Sequence, residues 1–206
     1  MTRGTRFRHA TAIAAVALLG MTACAADTTA DPAAAPAVEQ DDASNGLSAD
    51  LTDRDGQNVG TFSLSEQNGM VRGEVSLTDL TLDAGFHGFH LHETAECDAD
   101  APDGAFTTAG GHWNPDDADH PEHPGDMPSL LVTEDGTAEA TFVTDRFTFD
   151  DLPTEGVAVI LHEDPDNYAH IPDRYQSEDA DGPGPDETTL ATGDAGDRYA
   201  CATITP

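Results

Sequence analysis

The sequence predicts an all-β domain, a sandwich or barrel of short strands, and three observations carry that prediction. Apolar residues alternate with polar ones over short runs, turn signals separate the runs, and no segment has the apolar spacing of a helix of three turns. Residues 46–51 make a weak first strand. Asp55-Gly56 is a turn, and 59–64 follows with alternating apolar side chains. Asn68-Gly69 is a strong hairpin signal, because a two-residue type I′ turn needs positive φ at both positions. Residues 70–77 alternate again, with Val71, Val75 and Leu77 separated by even numbers. Later strands are expected at 88–92, 129–133, 138–144, 156–162 and 199–204.

Two long segments break the strand pattern. Residues 97–128 and 164–196 are rich in Gly, Pro, Asp and, in the first, His. Loops this long in a compact domain are usually functional or disordered, and these carry too many potential metal ligands to be dismissed as disorder.

The beginning of the chain is not expected to belong to the fold. Arg3, Arg6 and Arg8 make a basic start, and 10–20 is an apolar run of signal-peptide length, too short to span a bilayer. Met21-Thr22-Ala23-Cys24 resembles a bacterial lipobox, with Met where leucine is usual. Residues 1–24 are therefore expected to be a lipoprotein signal ending at a lipidated Cys24, and an ordinary signal peptide cut nearby is the alternative. Residues 25–44, rich in Ala, Asp, Pro and Thr, are expected to be a disordered tether, and 45–206 the folded domain. The implied location is outside the cytoplasm, on the cell membrane through the lipid. With Cys24 lipidated, Cys97 and Cys201 leave one possible pairing, which suits an oxidising compartment.

Charge excludes some partners. The chain has a formal net charge of -32 and no lysine, and beyond residue 24 its five arginines stand among 40 Asp and Glu. Nucleic acid and anionic headgroups would be repelled. A monomer or homodimer is expected.

The histidines carry the chemistry. His90 and His92 lie two apart, so on a strand both imidazoles share one face, while Phe89 and Leu91 point to the core. His87 falls on the core side and is expected to be structural. His112 follows in Gly110-Gly111-His112-Trp113-Asn114-Pro115, then His120, His123 and Asp126. His162 ends an apolar strand, on the side of Ile160. A lone His-x-His is weak evidence, but here two histidines on one strand face meet a third at another strand end and a loop with three more and an aspartate. Neutral imidazole suits Cu(II) and Zn(II), and a carboxylate completes a tetrahedral zinc site.

These residues, with His123-Pro124-Gly125-Asp126 and the run from Gly193 to Cys201 (GDAGDRYAC), resemble the copper–zinc superoxide dismutases over roughly residues 45–206; the Asp126-Met127-Pro128-Ser129-Leu130 run and the extended loop after Cys97 look closer to their bacterial branch, and with the lipobox to its extracytoplasmic lipoproteins. The resemblance implies a Greek-key β-barrel with both metals on its outer surface. It implies copper on His90, His92, His112 and His162, and zinc on His112, His120, His123 and Asp126, His112 being shared. It implies Arg198 beside the copper to attract the superoxide anion, a Cys97–Cys201 disulfide that pins the metal loop to the barrel, and Asp166 linking a copper ligand to a zinc ligand. Two departures stand out: a shorter loop between His112 and Asp126 than in the animal enzymes, and a longer, lysine-free segment over 169–185, whose His170 is expected to be a plain loop residue.

The expected activity is conversion of superoxide to oxygen and hydrogen peroxide by copper redox cycling, with zinc as the structural partner and His112 as proton carrier. Two rival readings are a non-catalytic copper or zinc binder on the same fold and a copper-only dismutase. Storage needs no anion guide, which weighs against the first, and the presence of His120, His123 and Asp126 weighs against the second.

Overall fold

The computed structural model describes residues 46–178 and 180–206; the expected leader over 1–24, Cys24 and the tether over 25–44 lie outside them. The described residues form β1 (Gly46–Asp53), β2 (Asn58–Gln67), β3 (Met70–Leu77), β4 (Gly85–His87), β5 (Phe89–His92), β6 (Leu130–Val132), β7 (Ala138–Thr144), β8 (Val157–His162), α1 (Glu187–Thr192) and β9 (Arg198–Ile204). Seven strands make one curled antiparallel sheet in the order β5-β8-β9-β1-β2-β3-β7, and β4 pairs with β6. The crossover from β3 to β7, with three strands between them in sequence, is a return connection of the Greek-key kind.

Local rules explain the hairpins. Gln67 pairs with Met70 across Asn68-Gly69, and both turn residues have positive φ, 53° and 79°. Alternation in β3 becomes alternation of burial, with Val71, Val75 and Leu77 inward. The first strand runs two residues beyond the expected 46–51. It stops where the Asp53 carboxylate accepts the backbone N–H of Asp55 (2.9 Å) and of Gln57 (2.8 Å), an Asx-type turn.

The strand expected over 88–92 is β5, one residue shorter at its start, and β4 just before it is a further short strand that was not foreseen. β4 pairs with β6, β5 pairs with β8, and the chain changes partner at Gly88. The Gly88 N–H donates to the Asp164 carbonyl and its own carbonyl accepts from the His162 N–H, both at 2.9 Å, so Gly88 belongs to the loop after β8.

The main core lies inside the curl. Phe62 meets Phe89 edge to face at 5.2 Å between ring centres, and Leu91, Val159 and Leu161 pack with them. On the opposite face His90 and His92 stand in register with Ile160 and Ala158. That face is covered too. Phe106, Ala109, Ala158, Ile160 and Cys201 form a second apolar cluster, so every residue of β8 is buried. The cover is the long loop before β6, tied to β9 by the Cys97–Cys201 disulfide, with Cα atoms 5.8 Å apart and a sequence separation of 104. In the chain-entropy model a closure of that length contributes about 4–5 kcal/mol.

The second long loop contains α1, a short helix not foreseen from the apolar pattern. It starts where Asp186 accepts the Thr189 N–H at 2.9 Å and ends at Gly193, φ 60°. At six residues it agrees with the expectation of no helix of three turns.

Candidate metal centre

β5 presents His90 and His92, both almost wholly buried, on the face away from the main core. A ladder of backbone bonds brings the loop histidines beside them. Leu91 N–H donates to the Gly125 carbonyl (2.8 Å), Trp113 N–H to Leu91 (2.8 Å), and Gly125 N–H to Trp113 (3.0 Å). This sets His112 opposite His92 and Asp126 opposite His90. A Cβ on Gly125 would lie 2.6 Å from the Leu91 carbonyl oxygen, so only glycine permits the approach. Trp113 is fixed from below by Phe147, edge to face at 5.2 Å. His162 arrives from the end of β8, where a register shift after Leu161 sets it opposite Arg198. His120 is tied to α1 by its N–H on the Leu190 carbonyl, 2.7 Å.

A three-membered group, His90, His120 and Asp166, spans two four-membered groups of ligand atoms, the members of each lying within 4.8 Å of one another: His90, His92, His112 and His162, and His112, His120, His123 and Asp126. His112 belongs to both four-membered groups. The seven side chains expected to hold metals are therefore together, although the loops that carry them span more than seventy residues of sequence.

Counting ring nitrogens tests the fit to metal ions. His92 Nδ1 faces the Gly110 carbonyl at 2.9 Å and His162 Nδ1 the Gly196 carbonyl at 3.2 Å. A carbonyl only accepts, so each Nδ1 carries the proton and each Nε2 carries a lone pair. Those two Nε2 atoms stand 3.4 Å apart, lone pair toward lone pair, an arrangement that a shared cation would satisfy. His90 Nε2 donates to Asp166 Oδ2 at 2.9 Å, leaving its Nδ1 buried without a partner. His112 Nε2 is likewise buried and unpartnered. Four nitrogen lone pairs thus converge on one point, a donor set suited to copper. In the second group the Nδ1 atoms of His112 (2.9 Å), His120 (3.0 Å) and His123 (3.2 Å) surround the Asp126 carboxylate, three nitrogens and one oxygen, which suits tetrahedral zinc.

Electrostatics agree with this division. Burial, then the neighbouring histidines and Arg198, push His92 and His162 well below the usual histidine range, so both rings are neutral. Burial likewise lowers His112 to about 4, against the pull of Asp126. Burial alone would lower His120 too, but its bonds to Asp126 and Asp166 outweigh it and raise the ring to about 9. Burial works to raise both carboxylates, but hydrogen bonds from His112, His120 and His123 hold Asp126, and bonds from His120 and His90 hold Asp166, below the carboxylate range.

Asp166 joins the groups: Oδ2 accepts from His90 Nε2 and Oδ1 faces His120 Nε2 at 2.8 Å. Gly193 leaves room for it, since a Cβ there would lie 2.2 Å from Asp166 Oδ1. Arg198 is half-buried, and its guanidinium donates to the Phe106 and Gly110 carbonyls of the disulfide-tied loop. Gly110 thus fixes Arg198 and His92 together. Burial lowers the Arg198 pKa.

Of the remaining histidines, His87 is buried with its ring nitrogens on the His162 and Asp83 carbonyls (3.1 and 2.9 Å), and His170 is exposed and outside both groups. Two supporting residues, Arg54 and Tyr168, were not singled out in the sequence. Arg54 pairs with Glu163 and, with Arg198, lines a cavity of about 210 Å³. Tyr168 stacks on His120 with ring centres 6.4 Å apart, and its hydroxyl meets Ser129 Oγ at 2.6 Å. The scarcity of arginine was the available signal for Arg54; nothing in the pattern marked Tyr168.

Comparison with known proteins gives one answer. A family model described as copper/zinc superoxide dismutase matches residues 58–204. A Cu-Zn superoxide dismutase of Mycobacterium tuberculosis is 38% identical over 174 residues, covering 81% of this chain and 72% of that protein. Another from Photobacterium leiognathi is 31% identical over 169 residues, covering 77% of this chain and 86% of that one. Among solved structures, the Cu/Zn superoxide dismutase of Brucella abortus aligns with a TM-score of 0.57 at 27% identity, over 78% of this chain and 99% of that one. A motif set, a fold and a pair of nitrogen-rich groups that share one histidine therefore converge, and the chain belongs to the copper/zinc superoxide dismutase family.

Proposed function

We propose that this chain dismutates superoxide at a copper held by His90, His92, His112 and His162, beside a zinc held by His112, His120, His123 and Asp126. The observation that carries the assignment is His112, the one side chain with a place in both groups. The reaction turns two superoxide anions and two protons into oxygen and hydrogen peroxide. Copper, when bound, supplies the one-electron oxidation and reduction, and zinc supplies a fixed positive charge with no redox chemistry.

The chain's own residues do the rest. His112 is anchored at Nδ1 on the Asp126 side and leaves Nε2 toward His90 and His92, so it is placed to take a proton at Nε2 and deliver it to the peroxide product. Asp166 orients His90 and His120 at once, and the Gly110 and Gly196 carbonyls fix the rings of His92 and His162. Arg198, held by two carbonyls of one loop, keeps a positive charge beside the four-histidine group and attracts the anion. A storage protein has no use for such a charge, and a copper-only enzyme has no use for the second group.

The chain is proposed to work outside the cytoplasm, held to the membrane by a lipid on Cys24. Support comes from the basic start, the apolar run over 10–20 and the Met21-Thr22-Ala23-Cys24 sequence. Cys24→Ser should release the protein from the membrane fraction with its specific activity intact; a variant that stays membrane-bound would end the lipid proposal. The enzyme assignment is tested by metal content and superoxide turnover together, with one copper and one zinc per chain expected in the active form.

A further inference from the structure

An acidic cavity of about 450 Å³ opens over the shared histidine, lined by Glu93, Asp117, Asp119 and Glu187 together with His112 and His123. The carboxylates come from three separate places: just after β5, the loop between His112 and His120, and the first position of α1. No arginine lines the cavity, and the chain has no lysine. Asp117, Asp119 and Glu187 are exposed, whereas the His112 and His123 side chains are each 3% exposed. Charge is thus at the rim, and two members of the group formed with His120 and Asp126 are at the inner end.

A cleft lined by one sign of charge focuses the field and raises the local concentration of the opposite ion, accelerating association by about 10–10³-fold. Here the favoured ion is a cation, a divalent one twice over, and the substrate anion is disfavoured. We infer that this cavity is a capture vestibule for Zn²⁺ on its way to the group formed by His112, His120, His123 and Asp126. The four carboxylates gather the ion, and His123 and His112, which line the cavity and belong to that group, receive it. The inference rests on the zinc assignment proposed above and adds the route by which the ion arrives.

The experiment follows Zn²⁺ uptake by the full-length chain after chelation of its metals, with the disulfide left intact. The vestibule variant is Asp117→Asn/Asp119→Asn/Glu187→Gln. Asp117 has φ 53°, a conformation asparagine tolerates, and Glu93 is left alone because its carboxylate accepts the Gly111 N–H at 3.2 Å. The control, Glu134→Gln/Glu139→Gln/Asp150→Asn, removes the same charge from exposed positions that do not line the cavity. At low salt the vestibule variant should take up Zn²⁺ about tenfold more slowly than the unaltered chain and with a flatter salt dependence, and the control should stay within about twofold. The single change Glu187→Lys, at an exposed position, should slow uptake in the same direction, which keeps the test usable if the triple variant folds poorly. Equal uptake rates for vestibule and control variants would overturn the vestibule. Absence of bound zinc at equilibrium in the unaltered chain would instead overturn the zinc assignment, and the vestibule with it.

Discussion

His112 is the residue on which the two-metal account turns, and the other six ligand side chains divide into three for each four-membered group, with Asp166 joining the two. His162 contributes only to the four-histidine group and Asp126 only to the other. His162→Ala should therefore abolish dismutation while zinc stays near one per chain. Asp126→Ala should chiefly remove zinc and should destabilise the metal-free chain by about 3 kcal/mol, because it strips one counter-charge from the buried ring of His120. The low end of the usual 3–5 kcal/mol range applies because Asp166 still faces that ring. Metal analysis with urea unfolding checks both; zinc lost from His162→Ala with copper retained would overturn the division. At this scale the sequence was legible where chemistry sits in the residue type, as with the six histidines and Asp126. Which ring nitrogen is free was not legible. That depends on the carbonyls of Gly110 and Gly196, and backbone atoms have no signature in a sequence.

The strands were legible because burial of one sheet face imposes period two, and Asn68-Gly69 imposes its own turn. The errors lie where tertiary partners decide. β4 was missed because a three-residue strand is defined by its partner β6 and not by alternation, and α1 was hidden because a six-residue helix held by an N-cap and a C-terminal glycine needs no apolar stripe. The disulfide couples these elements. It ties the loop that carries Phe106 and Gly110 to the strand that begins with Arg198. Cys97→Ser should lower stability by up to about 4–5 kcal/mol and free that loop from β9. Turnover at equal metal content should fall with it, since the acceptors that aim Arg198 would lose their anchor. Urea denaturation beside an activity assay checks this, and unchanged values in both would show the latch to be idle.

At the scale of the whole molecule the charge opposes the substrate. The chain is strongly acidic and superoxide is an anion, so the distant field repels it while Arg198 attracts it at short range. Salt separates the two, since the Debye length falls from about 30 Å at 0.01 M to about 8 Å at 0.15 M. Screening should weaken the distant carboxylates more than Arg198, so the superoxide rate constant at pH 7–8 should stay flat or rise across that range. An enzyme that steers its substrate with surface cations would slow instead, and a steep fall here would mean that local positive potential dominates at long range. None of this holds unless the shared-histidine centre is the seat of the reaction. The most direct test is superoxide turnover by chains of measured metal content, comparing one copper plus one zinc with zinc alone. The account predicts rapid dismutation in the first and none in the second; no turnover above free-protein background with both metals in place would contradict it.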